Sequence, residues 1–76
     1  DLRALLRESI RDLKKSKPNL SSSALAGVLK IAVSTFGRIE NGEVKRPDVA
    51  TTTSIISACH GEKAVKDVLA KFYPEI

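Results

Sequence analysis

Residues 20–47 read LSSSALAGVLKIAVSTFGRIENGEVKRP, and this stretch decides the fold. Its apolar residues recur at three- and four-residue spacings, which predicts two short helices joined by a tight turn. The small side chain of Ala26 lets these two helices approach closely at a steep angle. The outer face of the second helix therefore projects from the surface. The predicted inner stripes are Leu25, Ala26, Val28 and Leu29 in the first helix and Phe36 and Ile39 in the second.

The sequence before this stretch predicts one longer helix. Residues 2–15 carry apolar side chains at helical spacing, with Arg and Lys on the other face. Pro18 ends that helix, because the residue before a proline is pushed out of the α region. Ser21 and Ser22 are natural N-caps for the next helix. Within the quoted stretch, a break at residues 30–33 separates the two helices.

Two more helices are predicted after this stretch. Asn41-Gly42 supplies a left-handed stop, Asp48 caps a fourth helix, and a fifth helix ends before Pro74. No run alternates apolar and polar residues for long enough to form a strand. The expected fold is therefore all-α, five short helices in a single domain over residues 1–76. The predicted inner faces of the last two helices are Val49, Thr52, Ile55, Ile56, Cys59, Ala64, Val65, Val68, Leu69 and Phe72.

Composition excludes several classes of protein. The chain is 42% hydrophobic and 29% charged, which is typical of a small globular domain rather than a disordered tail. No apolar run reaches the roughly 18–20 residues of a membrane span. One cysteine and one histidine are too few for a disulfide or a structural zinc site. So short a chain disfavours a deep enzyme pocket. We therefore expect no catalysis, metal or cofactor, with Cys59 buried as a small hydrophobe and His60 capping helix carbonyls.

The positive charge is concentrated in the first two-thirds of the chain. The formal net charge is +4, with +3 in residues 1–17, +2 in residues 18–47 and −1 in residues 48–76. This distribution suits a polyanionic partner for the first two segments and not for the third.

The S-T-x-x-R-I-E-N-G run at residues 34–42 carries a family resemblance. Together with Leu25-Ala26 before it and Lys45-Arg46-Pro47 after it, the run resembles the phage-repressor-like helix-turn-helix domains (lambda repressor/Cro, also called the XRE family). The resemblance covers residues 20–60. It implies a lambda repressor-like DNA-binding fold whose helix-turn-helix core lies at residues 21–41.

That resemblance implies a recognition helix over residues 33–40, which enters the major groove of double-stranded DNA. Arg38 is the expected base reader, since a guanidinium can bond guanine O6 and N7 together, worth about 1–3 kcal/mol of discrimination. In the family, the counterpart of Glu40 pairs with a base late in the first helix, which implies Lys15 here. The implied base-contacting residues are Val33, Ser34, Gly37 and Arg38. The implied DNA-backbone contacts are Ser22, Ser23, Thr35, Asn41, Lys45 and Arg46.

Three positions depart from the family pattern. The family usually has glutamine at the position of Ser22, glycine at that of Lys30 and a capping serine at that of Ala32. Lys30 in a left-handed turn costs about 1 kcal/mol relative to glycine. Ala32 has no side-chain acceptor, so that helix end lacks about 1 kcal/mol of capping.

The expected function is sequence-specific binding of double-stranded DNA by a bacterial or phage transcriptional regulator, a repressor or an activator, in the cytoplasm at the nucleoid. The alternative is a protein-interaction module that keeps the fold and has lost base reading, with Val33 and Gly37 or the fifth helix docking a partner. Membrane association through the basic first helix is disfavoured, because Glu8 and Asp12 interrupt its charged face.

Beyond DNA, the expected partners are a second copy of the chain or the remainder of a longer one. Three residues near the C-terminal end bear on this choice. They either form a homodimer contact or close the core: Leu69, Phe72 and Tyr73.

Overall fold

Five α-helices and no strand make up the chain, as the sequence predicts. The structure is a computed structural model that describes all residues 1–76. The helices are α1 (Leu2–Ser16), α2 (Ser22–Leu29), α3 (Val33–Glu40), α4 (Val49–His60) and α5 (Glu62–Phe72). The break between α2 and α3 is one residue shorter than predicted, because Val33 already belongs to α3. None of the helices combines the length and the apolar character that a membrane crossing needs.

Side-chain caps fix the starts of three helices. The Asp1 carboxylate accepts a hydrogen bond from the amide of Ala4 at 2.8 Å, and the Asp48 carboxylate accepts one from the amide of Thr51 at 2.9 Å. The Ser21 hydroxyl accepts from the amide of Ala24 at 3.2 Å. Of the two serines predicted to cap α2, Ser21 does so, and Ser22 is the first residue of the helix.

One core joins all five helices and the residue after the last. α1 packs against α3 and α4, α2 packs against α3 and α4, and α5 packs against α4. The buried hydrophobic residues are Leu2, Leu6, Ile10, Leu13, Leu25, Ala26, Leu29, Phe36, Ile39, Ile55, Ile56 and Tyr73. Most come from the predicted inner faces, so apolar spacing located the core.

Val28 is the exception, and its prediction is wrong. Its side chain is 54% exposed, whereas Leu25, Ala26 and Leu29 are buried. At 100° per residue, Val28 lies about 100° around α2 from the centre of the stripe that those three residues form. It therefore falls outside the arc that α3 and α4 cover.

α5 covers α4 without burying any of its own residues completely. Leu69 and Phe72 are half-buried against the core, while Tyr73, just beyond the helix, is only 3% exposed. The Tyr73 hydroxyl donates to the carbonyl of Pro47 and lies 2.8 Å from the hydroxyl oxygen of Thr52. Tyr73 thus closes the core and ties the C-terminal end of the chain to the loop between α3 and α4.

Candidate nucleic-acid interface

The outer face of α3 is the centre of the candidate site. Phe36 and Ile39 hold the helix to the core with exposed fractions of 0% and 1%. The opposite side presents Val33, Ser34 and Arg38, all exposed. None of these three side chains forms a hydrogen bond or an ion pair within the chain, so the face is open to an external ligand.

Gly37 leaves this face without a side chain at its middle. A methyl group built on Gly37 would meet no atom within 4 Å, and the residue has no positive φ. Nothing in the chain therefore requires glycine here, although glycine inside a helix costs about 0.5–1 kcal/mol relative to alanine. Its effect is to expose the helix backbone between Val33 and Arg38.

The turn before α3 has the left-handed backbone geometry that the family resemblance implies at Lys30. Lys30 adopts φ 59° and ψ 39°, and its amide donates to the carbonyls of Ala26 and Gly27. It is the one non-glycine residue with a positive φ. Ala32 begins α3 without a side-chain cap. The exposed ammonium group of Lys30 adds a positive charge to the turn.

The first turn of α2 carries two of the predicted backbone contacts. Ser22 is half-buried and Ser23 is exposed. Amides in the first turn of a helix have no intrahelical acceptor, and the helix dipole adds a partial positive charge there. This end of α2 can therefore accept an anion, although Ser22 and Ser23 provide no positive side chain.

The other residues predicted to contact the DNA backbone differ in their burial and in the interactions that they already make within the chain. Thr35 is half-buried, and the exposed Asn41 amide lies 3.4 Å from a carboxylate oxygen of Glu43. Lys45 is exposed and makes no ion pair. Arg46 is paired with Glu75, and its guanidinium carbon lies 4.6 Å from the centre of the Tyr73 ring. Of the two loop cations, only Lys45 has no partner.

Three side chains of α1 hold the C-terminal end of α3. Arg3 donates to the carbonyl of Gly42 at 3.2 Å, and Arg7 donates to the carbonyl of Glu40 at 3.3 Å. Lys14 forms an ion pair with the Glu40 carboxylate. These cations meet the partial negative charge at the end of α3.

The predicted pair of Lys15 with Glu40 is therefore wrong. The partner is Lys14, which is half-buried beside α3, whereas Lys15 is exposed and makes no ion pair. One residue along α1 rotates a side chain by about 100°, away from α3. The spacing of Arg3 and Arg7, four residues apart on one face, is the sequence signal that could have located the α1 contacts with α3.

His60 and Cys59 both contact Ser9 of α1. The Ser9 hydroxyl donates to the Leu5 carbonyl at 2.8 Å, so its oxygen accepts from Nε2 of His60, 2.9 Å away. This bond replaces the predicted capping of helix carbonyls by His60. The half-buried Cys59 thiol lies 3.3 Å from the carbonyl oxygen of Ser9. Burial, and then the negative charge of Asp12, raise the pKa of that thiol, and no group of three or more His, Cys, Asp or Glu side chains is placed to hold a metal ion.

Comparison with known proteins adds no family assignment. The chain matches no family model, no curated protein and no solved structure.

Proposed function

We propose that this chain is a lambda repressor-like helix-turn-helix domain that binds double-stranded DNA as a bacterial or phage transcriptional regulator. One observation carries the proposal. α3 is held from behind by Phe36 and Ile39, while Val33, Ser34 and Arg38 point outward without internal partners. A braced helix with a free outer face is what insertion into the major groove requires.

The chemistry of the outer face suits base edges. Arg38 has no carboxylate partner, so its guanidinium is available for the paired acceptors O6 and N7 of guanine. The Ser34 hydroxyl can donate or accept at a base edge, and the Val33 methyl groups can contact a thymine methyl. At Gly37 the helix backbone itself would face the groove.

Phosphate contacts supply the remaining affinity. Lys30 and Lys45 are exposed cations without ion-pair partners on either side of α3. The first turn of α2, at Ser22 and Ser23, offers amides to a phosphate. Thr35, Asn41 and Arg46 complete the proposed set. Such contacts release counterions, so the affinity should fall steeply as salt concentration rises.

A protein-interaction module is the second candidate function. Val28 is 54% exposed and Val33 52% exposed, on the outer sides of α2 and α3. Exposed valines of this kind favour a protein partner over phosphate. Isolated apolar side chains at a surface are common, however, so they carry less weight than the free Arg38.

Selection of bound sequences from a randomised duplex pool tests the proposal. We expect an enriched site, and a palindrome would indicate binding as a dimer. Arg38→Ala should weaken binding by about 1–3 kcal/mol and relax the preference at one base position. Lys63→Ala, which removes an exposed cation from α5, is the matched control and should leave that preference intact.

Two outcomes would contradict the proposal. If Arg38→Ala changes neither affinity nor base preference, α3 does not read bases through this residue. If the wild-type chain binds no duplex even at about 50 mM salt, the second candidate function is favoured.

A further inference from the structure

The C-terminal end of the chain returns to the loop that follows α3. Tyr73 is anchored there by its hydrogen bond to the Pro47 carbonyl and by the nearby Thr52 hydroxyl. Two residues later, the Glu75 carboxylate pairs with the Arg46 guanidinium. The buried Tyr73 ring fixes the path of the chain two residues before Glu75. The backbone therefore loses little additional freedom when Glu75 pairs with Arg46.

Arg46 is held on two sides but is not enclosed. Its guanidinium lies 4.6 Å from the Tyr73 ring centre, and the side chains of Arg46 and Glu75 are each 51% exposed. Arg46 also borders an open cavity of about 270 Å³, which Arg3 and Lys45 line as well. Three cations thus line this opening together with Asp1, whose carboxylate caps α1.

The Glu75 carboxylate occupies the Arg46 guanidinium as an external anion would. A carboxylate and a phosphate offer a guanidinium the same kind of paired oxygen acceptors. Arg3 is already bonded to the Gly42 carbonyl, and Lys45 has no ion-pair partner. Arg46 is therefore the cation whose availability depends on an acidic side chain of the same protein.

We propose that Glu75 competes with a DNA phosphate for Arg46 and thereby lowers the affinity of the domain for DNA. The inference rests on the proposed function and adds an internal competitor to it. DNA that approaches the loop must displace the carboxylate or forgo the Arg46 contact. Either way, part of the available binding energy is lost.

The expected effect is modest because both partners are solvent-exposed. Exposed ion pairs contribute little, so removing the competitor should tighten DNA binding by about two- to five-fold. Salt weakens the pair and the phosphate contact alike. If Arg46 stays paired with Glu75 in the wild-type complex, removing the Glu75 carboxylate frees Arg46 for one more phosphate contact. The slope of log affinity against log salt concentration then becomes steeper by about 0.9.

A double-mutant cycle with a charge-matched control tests this inference. Glu75→Gln and Asp67→Asn each remove one negative charge, but Asp67 is an exposed residue of α5 without an ion-pair partner. The two changes are each measured alone and in an Arg46→Ala background, by titration of one duplex at about 50 mM and about 200 mM salt. Circular dichroism verifies that each variant is folded.

We expect Glu75→Gln to bind the duplex about two- to five-fold more tightly than Asp67→Asn at the lower salt. In the Arg46→Ala background the two changes should be equivalent. Two outcomes would overturn the role of Glu75 while leaving DNA binding in place. One is that Glu75→Gln and Asp67→Asn change the affinity equally when Arg46 is present. The other is that Glu75→Gln still binds more tightly than Asp67→Asn, by the same factor, in the Arg46→Ala background. If no variant binds duplex, the proposed function fails and the inference fails with it.

Discussion

The Nε atom of Arg7 donates a hydrogen bond to the backbone carbonyl of Glu40, 3.3 Å away. A side chain of α1 thus satisfies a carbonyl at the end of α3, where no intrahelical donor remains. The Cδ atom of Arg7 also lies 3.1 Å from the point that a Cβ on Gly42 would occupy. The guanidinium group and the Cδ atom of Arg7 therefore both contribute to fixing where α3 ends.

Replacing Arg7 by alanine should lower the free energy of unfolding by about 0.5–1.5 kcal/mol, because it removes a hydrogen bond and a cation from a helix C-terminus. Urea denaturation followed by circular dichroism measures this loss. Arg11→Ala is the matched control, since Arg11 is an exposed arginine one turn later on α1 with no hydrogen bond or ion pair. Equal losses in the two variants would show that the bond to Glu40 contributes nothing.

Gly37→Ala should stabilise the fold by about 0.5–1 kcal/mol, because it restricts the unfolded chain and improves helix propensity. The space is available, as no atom lies within 4 Å of the added methyl group. Gly27→Ala is the companion variant, with equal space in α2. Thermal unfolding should show a higher midpoint for both; a lower midpoint for Gly37→Ala would mean that α3 is strained at this residue.

Tyr73→Phe should cost about 1–3 kcal/mol, since it leaves buried polar groups of Pro47 and Thr52 without their partner. Thr52→Val should cost less, because the Tyr73 hydroxyl keeps its bond to the Pro47 carbonyl. Chemical denaturation of the two variants establishes the order. A smaller loss for Tyr73→Phe than for Thr52→Val would place the stabilising bond elsewhere.

Asp48 should make stability depend on pH. Hydrogen bonds from Thr51, through its side chain and its amide, hold the pKa of the Asp48 carboxyl below its ordinary value. Folding therefore favours the ionised form. This stabilisation is fully present above the ordinary pKa of about 3.9 and is lost as the pH falls through the lowered value.

Asp48→Asn keeps a capping oxygen and removes the titration. Denaturation midpoints measured from neutral to acidic pH should converge for wild type and Asp48→Asn as the pH falls. A separation that stays constant over the whole range would mean that Asp48 does not titrate differently on folding.

The Cys59 thiol should react slowly with iodoacetamide at neutral pH. Burial and the nearby charge of Asp12 raise the pKa of this thiol, and only the thiolate is nucleophilic. In Asp12→Asn the midpoint of the rate–pH profile should move to lower pH. Glu8→Gln, which removes an exposed carboxylate one turn earlier on α1, should leave the midpoint unchanged; equal shifts would point to net charge rather than to Asp12.

Local signals in the sequence were enough to locate the helices. The Asp48 cap follows from a pattern within a few residues, and the structure confirms it. The bounds of α3 at residues 33–40 and the left-handed Lys30 are implied by the family resemblance, and both are present in the structure, whereas the local pattern places Val33 in the break before α3. Such features are set by apolar spacing, capping and turn geometry, all of which act locally.

Contacts between distant segments could not be predicted in the same way. The bonds of Arg3 to Gly42 and of Tyr73 to Pro47 join residues 39 and 26 positions apart. Whether Lys14 or Lys15 pairs with Glu40 depends on how α1 is rotated about its axis relative to α3. A sequence pattern gives that rotation only to within about 100°, the angle between successive residues. The same limit applies to Val28, which lies about 100° from the centre of the α2 stripe and outside the covered arc.

In α3, the residues that hold the helix to the core are different from the residues of its open outer face. The side chains of Val33, Ser34 and Arg38 form no hydrogen bond or ion pair within the chain, and a Cβ on Gly37 would meet no atom within 4 Å. Phe36 and Ile39, on the opposite side of α3, are buried and anchor the helix. Substitutions on the outer face, at Val33, Ser34, Gly37 and Arg38, therefore leave the core contacts of Phe36 and Ile39 in place. A library randomised at those four codons should accordingly retain a high fraction of folded members, making the domain a scaffold on which new recognition can be selected.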